Sequence, residues 1–335
     1  MSAAKAPPPL DVGDVAPRFV LPRAAGGPPY DSESDSIIGR AQVLAFGQSA
    51  AGAGPARLIA RADELAALGC IPLVVVRRAQ GGGRPDVAVD ADGRMTAHFG
   101  GPDGVVVIGR NGHALVVDRI GGAAAVDRAV ELLRGLAADW RPKPAARQAP
   151  VLMVPNAMSP ADCRRLIDVY NAEGAPFVEP GHGAQNQKTD YKMRIPDYGR
   201  KDRIDHWIVN ASTMAFVNDR LQRRVFPEIR KAFQYKITRH ERYRIGCYEG
   251  ERGGMAHGHR DNTQPNVAHR RFACSINLNA EEFEGGELVF PEYGDQRFSP
   301  ATGEAIVFSS SMLHEPLHVT AGRRMVLLAF LFGEV

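Results

Sequence analysis

The sequence is poor in cysteine and has no apolar run long enough to cross a membrane. Its four cysteines are far apart and none belongs to a CxxC motif: Cys70, Cys163, Cys247 and Cys274. Such spacing is typical of reduced intracellular thiols and not of a disulfide framework. The longest apolar runs, such as residues 326–332, have the length of a strand, and the start of the chain lacks the apolar region of a signal peptide. These features predict a cytoplasmic protein with no membrane partner.

The chain also lacks the charge imbalance that accompanies nucleic-acid binding. Its formal net charge is only +3, and no basic run is interleaved with aromatic residues, so we expect no nucleic-acid partner. Hydrophobic residues at 44% and charged residues at 24% are ordinary for a globular protein. A length of 335 residues is enough for about two domains, each with its own core. The sequence does not indicate an oligomeric state.

The first domain is predicted over residues 10–139, after a disordered tail at residues 1–9. Apolar runs predict strands, and amphipathic runs predict helices. The strands are expected at 41–46, 71–76, 105–108 and 114–118, and the helices at 58–68 and 123–136. This α/β order, together with the opening Asp-Val-Gly-Asp-Val-Ala-Pro-Arg-Phe-Val-Leu-Pro at 11–22, resembles the peroxiredoxin branch of the thioredoxin fold.

The reactive part of a peroxiredoxin is missing from this domain. The attacking cysteine of that family follows the first core strand, where a helix start stabilises its thiolate. Here the corresponding loop, residues 47–55, contains only glycine, glutamine, serine, alanine and proline. Cys70 lies directly before a predicted strand and reads as a core residue. We therefore expect a thioredoxin-like domain without catalytic activity, kept for docking or stability.

A proline-rich linker is predicted at residues 140–150, and the second domain at 151–335. Ser159 at an N-cap, Pro160 at the first helical position and Asp162 at the third predict a helix start. Residues 175–205 are glycine-rich, charged and aperiodic, and a loop of this length is typically a lid or disordered. Further elements are expected as a strand at 151–154, a helix at 206–233 kinked by Pro227, a strand at 236–248 and short strands thereafter.

The chemistry of the second domain centres on His259-Arg260-Asp261, with His314 fifty-five residues later and Arg324 ten beyond that. Two histidines and one carboxylate are the protein ligands of the facial triad that holds non-haem Fe(II). In an extended segment alternate side chains share a face, so His259 and Asp261 can enter one pocket while Arg260 points away. On an uninterrupted strand Arg324 would face the same interior as His314, where a guanidinium favours a carboxylate ligand.

The succession of motifs around the triad resembles the prolyl 4-hydroxylase-like group of 2-oxoglutarate- and Fe(II)-dependent dioxygenases. The motifs are Tyr-Glu-Gly-Glu-Arg-Gly-Gly at 248–254, Phe-Ala-Cys-Ser-Ile-Asn-Leu-Asn at 272–279, Phe-Glu-Gly-Gly-Glu-Leu-Val-Phe-Pro at 283–291, Phe-Ser-Pro-Ala-Thr-Gly-Glu-Ala-Ile-Val-Phe at 298–308 and Leu-His-Glu-Pro-Leu-His-Val-Thr-Ala-Gly-Arg-Arg at 313–324. The resemblance covers residues 240–335 and extends more weakly to 151. It implies an α+β double-stranded β-helix, or jelly roll, with flanking helices.

The resemblance also implies the ligands and their residues. His259, Asp261 and His314 would bind Fe(II), and Arg324 would bind the distal carboxylate of 2-oxoglutarate, whose keto-acid end chelates the metal. Arg323 is an alternative by position, but strand parity favours Arg324. Tyr248 could donate to the same carboxylate, and Asn277 could touch cosubstrate or substrate. L-ascorbate is expected as a reductant, and no catalytic residue is expected beyond these ligands.

Two functional hypotheses follow. The first is an enzyme that uses O2 and 2-oxoglutarate to hydroxylate a peptidyl or amino-acid carbon of its peptidyl or small-molecule substrate, releasing succinate and CO2. The second is a binding or sensor scaffold that responds to oxygen or 2-oxoglutarate and docks through its redoxin-like domain. The complete triad with its matching arginine favours the enzyme. The sequence does not name the substrate or the carbon that would be hydroxylated.

Overall fold

The chain divides into two compact units, Met1–Pro144 and Ala145–Val335, in a computed structural model. The structure describes residues 8–78, 86–140, 148–179, 184–196, 202–250 and 258–333. The predicted disordered tail lies mostly outside these ranges. The division falls inside the segment predicted as a linker, of which residues 141–147 also lie outside them.

The N-terminal unit is built on a five-stranded mixed sheet. Its elements are β1 (Val20–Leu21), β2 (Tyr30–Asp31), β3 (Gln42–Gly47), α1 (Ala53–Ala60), α2 (Ala62–Ala67), β4 (Ile71–Val76), β5 (Val87–Val89), α3 (Arg94–Phe99), β6 (Val105–Ile108), β7 (Ala114–Asp118) and α4 (Gly122–Ala137). The strand order is β5-β4-β3-β6-β7, with β3 parallel to β4 and antiparallel to β6. Strands β1 and β2 form a separate pair.

The central strand β3 is buried along its whole length because both faces of the sheet are covered. Val43 packs with α4 residues such as Val126, whereas Leu44 packs in a second cluster that includes Phe99. The strand predictions at 71–76, 105–108 and 114–118 are confirmed at the same bounds. That this sheet is thioredoxin-like stays a prediction.

The helix predicted at 58–68 is two helices, because the backbone leaves helical geometry at Arg61, where φ is −103° and ψ is 4°. The first of them begins five residues earlier than expected, at Ala53. Pro55 is tolerated there because the first turn of a helix needs no backbone donor.

The C-terminal unit contains two antiparallel sheets and three helices among its described residues. Its elements are β8 (Leu152–Val154), α5 (Pro160–Asn171), β9 (Tyr191–Pro196), β10 (Asp202–Trp207), α6 (Ala211–Arg224), α7 (Phe226–Phe233), β11 (Arg239–His240), β12 (Arg244–Glu249), β13 (Phe272–Asn277), β14 (Phe283–Gly285), β15 (Leu288–Val289), β16 (Arg297–Phe298), β17 (Ala305–Ser309), β18 (Glu315–Pro316) and β19 (Val319–Phe332). The large sheet runs β8-β17-β13-β19-β12-β10-β9, and β11 and β14 also pair with β19. The small sheet runs β16-β15-β18.

The large sheet is covered by helices on one face and by the small sheet on the other. Alternate residues of β13 show this arrangement: Ile276 packs in one cluster with Val217 of α6, and Ala273 packs with Phe290 beside the small sheet. The period of two along each strand therefore separates the two cores. The predicted sheet-rich second unit is confirmed, and facing sheets are what a jelly roll requires.

The helix predicted over 206–233 is wrong at its start. Residues up to Trp207 belong to β10, and α6 begins at Ala211 after Asn210, whose side chain accepts hydrogen bonds from the amides of Ser212 and Thr213. Asp190 accepts the amides of residues 209 and 210, both at 2.6 Å, and so holds the chain between strand and helix. The predicted break is present, with Pro227 in the first turn of α7.

The predicted lid at 175–205 is also corrected. Strands β9 and β10 pair antiparallel from Tyr191 opposite Trp207 to Pro196 opposite Asp202, and β10 joins the large sheet beside β12. The charged composition hid these strands because two of the charges, Arg203 and Asp205, pair with each other at the sheet face. The rest of the lid prediction falls partly on residues 180–183 and 197–201, outside the described ranges.

Within the ranges that the structure covers, no helix combines the length and the apolar character needed to span a bilayer. The cytoplasmic location stays a prediction.

Candidate metal centre

The three predicted metal ligands meet at one point of the C-terminal unit. His259 and His314 exchange both backbone hydrogen bonds, at 3.0 and 3.1 Å, and the amide of Asp261 donates to the carbonyl of Ser310 at 2.9 Å. The Asp261 carboxylate then lies 3.5 Å from His259 Nε2 and 3.6 Å from His314 Nε2. One ligand atom from each residue lies within 4.8 Å of the others, so together they can hold a metal ion.

The His314 ring is fixed in the form that a metal ligand needs. Its Nδ1 lies 3.1 Å from the carbonyl of Met312, so Nδ1 is assigned the proton and Nε2 is left with a lone pair. The ring is buried and packs on Phe308, with 4.6 Å between the ring centroids. Burial lowers the pKa of His314, and the Asp261 carboxylate opposes this only in part. The imidazole is therefore neutral at pH 7, as metal binding requires.

Asp261 is ionised although its side chain is only 8% exposed. Burial by itself would raise its pKa, but the hydrogen bond with His259 and the electrostatic interactions with both histidines outweigh that effect and lower the pKa. Arg260 points away from the triad, as predicted, and binds Glu292 with nitrogen–oxygen distances of 2.6 and 3.0 Å. The alternation holds although His259 forms only a single bridge and no regular strand.

The triad opens onto a cavity on the face of the large sheet. Its walls are apolar over much of their area and carry three arginines and one tyrosine. The residues that line it include Arg203, Arg244, Tyr248, Leu288, Phe308, Arg324, Leu328 and Phe330. An apolar pocket with a few convergent polar groups is typical of a small-molecule site.

Arg324 faces this cavity and has hydrogen-bond donors that the protein does not use. It lies opposite Tyr248 in the β12–β19 register, and its side chain is buried. Its Nε donates to Asn277 Oδ1 at 3.2 Å, while its two terminal nitrogens make no hydrogen bond within the described part of the chain. Arg323 faces the other way, is 49% exposed and lies 3.9 Å from Glu249. Of the two arginines, Arg324 and not Arg323 therefore faces the cavity.

The even spacing between His314 and Arg324 does not explain why Arg324 faces the cavity. His314 and Arg324 do not share an uninterrupted strand, because β18 lies between them in the small sheet and β19 begins only at Val319 in the large sheet. The two side chains converge because the sheets face each other. Strand pairing with Tyr248, and not the even spacing from His314, sets the direction of Arg324.

Of the other two residues predicted to contact the ligands, Tyr248 lines the cavity and Asn277 does not. Tyr248 lines the cavity, and its hydroxyl accepts a hydrogen bond from Arg203 Nη1 at 2.9 Å. Asn277 is buried, donates to the carbonyl of Pro300 at 2.6 Å and accepts from Arg324. It is not among the residues that line the cavity, so its predicted contact with cosubstrate or substrate is corrected to the positioning of Arg324.

Sequence reasoning missed three residues of this site. Arg203 and Asp205 form a two-pronged ion pair, with distances of 2.7 and 3.0 Å, and Arg244 lies 3.4 Å from the same carboxylate. The spacing of Arg203, Asp205 and Trp207 could have indicated a strand, because alternate residues of a strand share one face. Arg244 likewise lies four residues before Tyr248, on the same face of β12.

Comparisons with known proteins agree with this site. Residues 243–332 match the sequence model of the 2OG-Fe(II) oxygenase superfamily. A PKHD-type hydroxylase of Stenotrophomonas maltophilia is 36% identical over 89 residues, which cover 24% of this chain and 39% of that protein. One of Shewanella frigidimarina is 39% identical over 56 residues, covering 16% of this chain and 25% of the relative. The chain thus spans less than half the length of these relatives.

Among solved structures, a prolyl-4-hydroxylase of Pseudomonas putida is similar at 15% identity and a TM-score of 0.41, over 56% of this chain and 95% of that one. A 2OG-Fe(II) oxygenase family protein of Burkholderia pseudomallei gives 21% identity and a TM-score of 0.42, over 55% and 85% of the two chains.

The superfamily implies Fe(II) and 2-oxoglutarate, and the residues present suit both. Two imidazoles and one carboxylate form the donor set of a facial iron site. The spare donors of Arg324 suit a carboxylate. Residues 243–332, which contain the triad and Arg324, are therefore similar to a 2OG-Fe(II) oxygenase domain.

Proposed function

We propose that this protein is a 2-oxoglutarate- and O2-dependent Fe(II) hydroxylase of a peptidyl or amino-acid carbon, releasing succinate and CO2. The observation that carries the proposal is that the metal triad and the spare donors of Arg324 open onto the same cavity. A scaffold that only bound metal would not need a second, separate anion site on the cavity wall, whereas a sensor of 2-oxoglutarate would, and succinate formation separates that sensor from the enzyme.

His259, Asp261 and His314 would hold Fe(II), which when bound supplies the activation of O2. Arg324 would bind the distal carboxylate of 2-oxoglutarate through two parallel hydrogen bonds, with Tyr248 beside it. Leu288, Phe308, Leu328 and Phe330 form the apolar walls that limit the access of water. The His259 side chain is 45% exposed and marks the side of the triad from which a substrate can approach.

We also infer that the N-terminal unit is a thioredoxin-like domain without thiol chemistry. Its mixed sheet supports this proposal, with three parallel strands followed by an antiparallel hairpin. Cys70 is buried, and burial raises its pKa. A role in docking or stability follows. The use of L-ascorbate as reductant and the absence of nucleic-acid partners remain predictions.

Succinate formation tests the enzyme proposal directly. Purified full-length protein is incubated with Fe(II), 2-oxoglutarate and O2, and succinate is measured with and without cell-extract peptides and metabolites. We expect turnover in the wild type and its loss, together with loss of bound iron, in His259→Ala, Asp261→Ala and His314→Ala. His98→Ala in the N-terminal unit is the matched control. Metal-dependent binding of 2-oxoglutarate without any succinate would support the sensor alternative instead.

A further inference from the structure

Three arginines from neighbouring strands line the wall of the cavity: Arg203 of β10, Arg244 of β12 and Arg324 of β19. They differ in how many of their donors the protein already uses. Arg203 gives Nε and Nη2 to Asp205 and Nη1 to Tyr248, so each of its nitrogens has a partner and its charge is balanced. Arg203 is therefore a structural member of the wall.

Arg244 is in a different position. Its contact with the Asp205 carboxylate is 3.4 Å long, and both oxygens of that carboxylate already accept from Arg203. It makes no hydrogen bond to any residue in the described ranges, although its side chain is only 13% exposed. A buried guanidinium without hydrogen bonds is unfavourable unless a ligand supplies them.

Two aromatic rings hold the Arg244 guanidinium in place. Its central carbon lies over the rings of Trp207 and Phe330, 5.1 and 5.0 Å from their centroids. Burial lowers the pKa of Arg244, and the charges of Arg203 and Arg270 lower it further against the opposing Asp205 and Asp261. An anion bound to Arg244 would oppose both of these effects on its pKa.

The cosubstrate cannot supply that anion. On the proposed function, one end of 2-oxoglutarate chelates the metal and the other binds Arg324, so both of its carboxylates are used. Arg244 pairs with Leu328 and Arg324 with Tyr248 along the same two strands. Four residues of strand separate the two positions, or about 13 Å between backbones. The position of Arg244 is therefore separate from the anion site of Arg324 along these strands.

We propose that Arg244 binds a carboxylate of the substrate, so that this cavity selects an amino acid or peptide carrying a free carboxylate. The inference rests on the proposed function and names its substrate class. The planar fork of arginine matches a carboxylate in two parallel hydrogen bonds. Such a contact would orient the substrate relative to the triad, whose Asp261 lines the same cavity.

Binding, and not turnover, tests the proposal. Full-length protein with Fe(II) and 2-oxoglutarate under anaerobic conditions is titrated calorimetrically with two sets of probes. The first set is Nα-acetyl amino acids against their amides, which tests an α-carboxylate. The second is the α-amides of Nα-acetyl-aspartate and Nα-acetyl-glutamate against those of the asparagine and glutamine compounds, which tests a side-chain carboxylate. We expect an acid in one set to bind roughly ten- to a hundredfold more tightly than its amide.

Arg244→Gln should remove this preference, and Arg244→Lys should keep part of it because the charge remains without the fork. Arg297→Gln, at a 65%-exposed arginine of β16 that does not line the cavity, is the matched control and should keep all of it. If Arg244→Gln does not fold, the comparison of Arg244→Lys with the wild type still tests whether Arg244 contacts the carboxylate.

Three results would overturn the inference: a wild type that binds acids and amides equally in both sets, a preference that survives in Arg244→Gln, or a parallel loss of 2-oxoglutarate affinity that would make Arg244 a cosubstrate residue. Failure of the proposed function looks different. It appears as a wild type without metal-dependent binding of 2-oxoglutarate, whatever the acid and amide probes show.

Discussion

At the scale of single residues, the orientation of two adjacent arginines separates a ligand-binding group from a surface group. Arg324 points into the cavity from β19, whereas Arg323 lies on the opposite face beside Glu249. Adjacent residues of a strand always face opposite sides, so one of the two can serve the site. Asn277 adds to the difference because it holds Arg324 by its Nε and leaves the terminal nitrogens for a ligand.

Arg324→Ala should therefore weaken 2-oxoglutarate binding by about 2–4 kcal/mol, the usual cost of truncating one partner of a buried charge pair. Iron binding should change little, because Arg324 is not a metal ligand. The measurement is calorimetric titration of 2-oxoglutarate into anaerobic Fe(II)-loaded protein, with Arg323→Ala as the matched control. A large effect in Arg323→Ala with a small one in Arg324→Ala would show that the strand register is wrong.

At the scale of elements, the turn between β14 and β15 sets the space available to Arg324. Gly286 has a φ of +70°, and its amide donates to the carbonyl of His318 at 2.9 Å. A Cβ at this position would lie 2.8 Å from Arg324 Cδ and 3.0 Å from Val319 Cγ2. The glycine is needed both for the backbone conformation and for the close approach of the arginine side chain.

Gly286→Ala should weaken 2-oxoglutarate binding by displacing Arg324, besides lowering the free energy of unfolding by about 1–2 kcal/mol for the left-handed backbone. Gly174→Ala is the matched control, because Gly174 also has a positive φ of +100° but no atom within 4 Å of an added Cβ. Calorimetry and urea denaturation of both variants separate the two effects. Equal 2-oxoglutarate affinity in the two variants would contradict this role of Gly286.

The start of α5 provides a pH-dependent contribution to stability. Ser159 and Asp162 form a capping box, and Asp162 also binds Arg220 at 3.0 Å. Burial by itself would raise the pKa of Asp162, but the hydrogen bonds from Arg220 and Ser159 outweigh it and hold the pKa below the ordinary value of 3.8. Because the folded pKa is the lower one, this carboxylate stabilises the fold above the unfolded pKa and ceases to do so as pH falls through the folded pKa.

Asp162→Asn should lower the free energy of unfolding at pH 7 by an amount on the order of 2 kcal/mol, since charge-assisted hydrogen bonds are lost. The difference from the wild type should shrink below the ordinary pKa of 3.8 as Asp162 becomes protonated in both states. Urea denaturation of the variant and the wild type between pH 3 and about 7 measures this difference in the free energy of unfolding. Asp168→Asn, at an exposed carboxylate of the same helix, is the control. A pH-independent difference would contradict the mechanism.

At the scale of the whole molecule, each unit has its own buried cores. The N-terminal clusters consist of residues between Leu10 and Leu133, and the C-terminal clusters of residues between Ala149 and Leu331. A unit with a complete core can fold alone. The division into two units therefore predicts that the metal site and the N-terminal sheet can be studied separately.

Residues 1–142 expressed alone should fold and show no thiol peroxidase activity, and residues 151–335 should keep metal and 2-oxoglutarate binding. The peroxidase reaction needs a thiolate. Cys70 is the one cysteine of the first segment, and its burial raises its pKa. Circular dichroism and peroxide consumption measure the two properties. Peroxide consumption by residues 1–142 that disappears in Cys70→Ser would make the protein bifunctional and overturn this account.

The sequence by itself determined the local features of this protein. The β4, β6 and β7 strands follow from continuous apolar runs, and the α5 start follows from Ser159 and Asp162, because these signals lie within a few residues of one another. The triad was also readable, since its motif fixes residue types and spacing. Element boundaries failed where a distant partner mattered, as at β10, which forms a strand because β12 lies beside it.

Only the tertiary structure decided which charged residues share the cavity. Arg203 and Asp205 lie on one strand and Arg244 on another, some forty residues later in sequence. A sequence-based prediction takes a charged residue on a strand to be solvent-exposed unless the opposing sheet is known. Arg324 lines the cavity, but for a reason other than the predicted one, because its direction depends on pairing with Tyr248 and not on its distance from His314. Sequence spacing specifies a face only within one strand, whereas a binding site is assembled from several strands and two sheets.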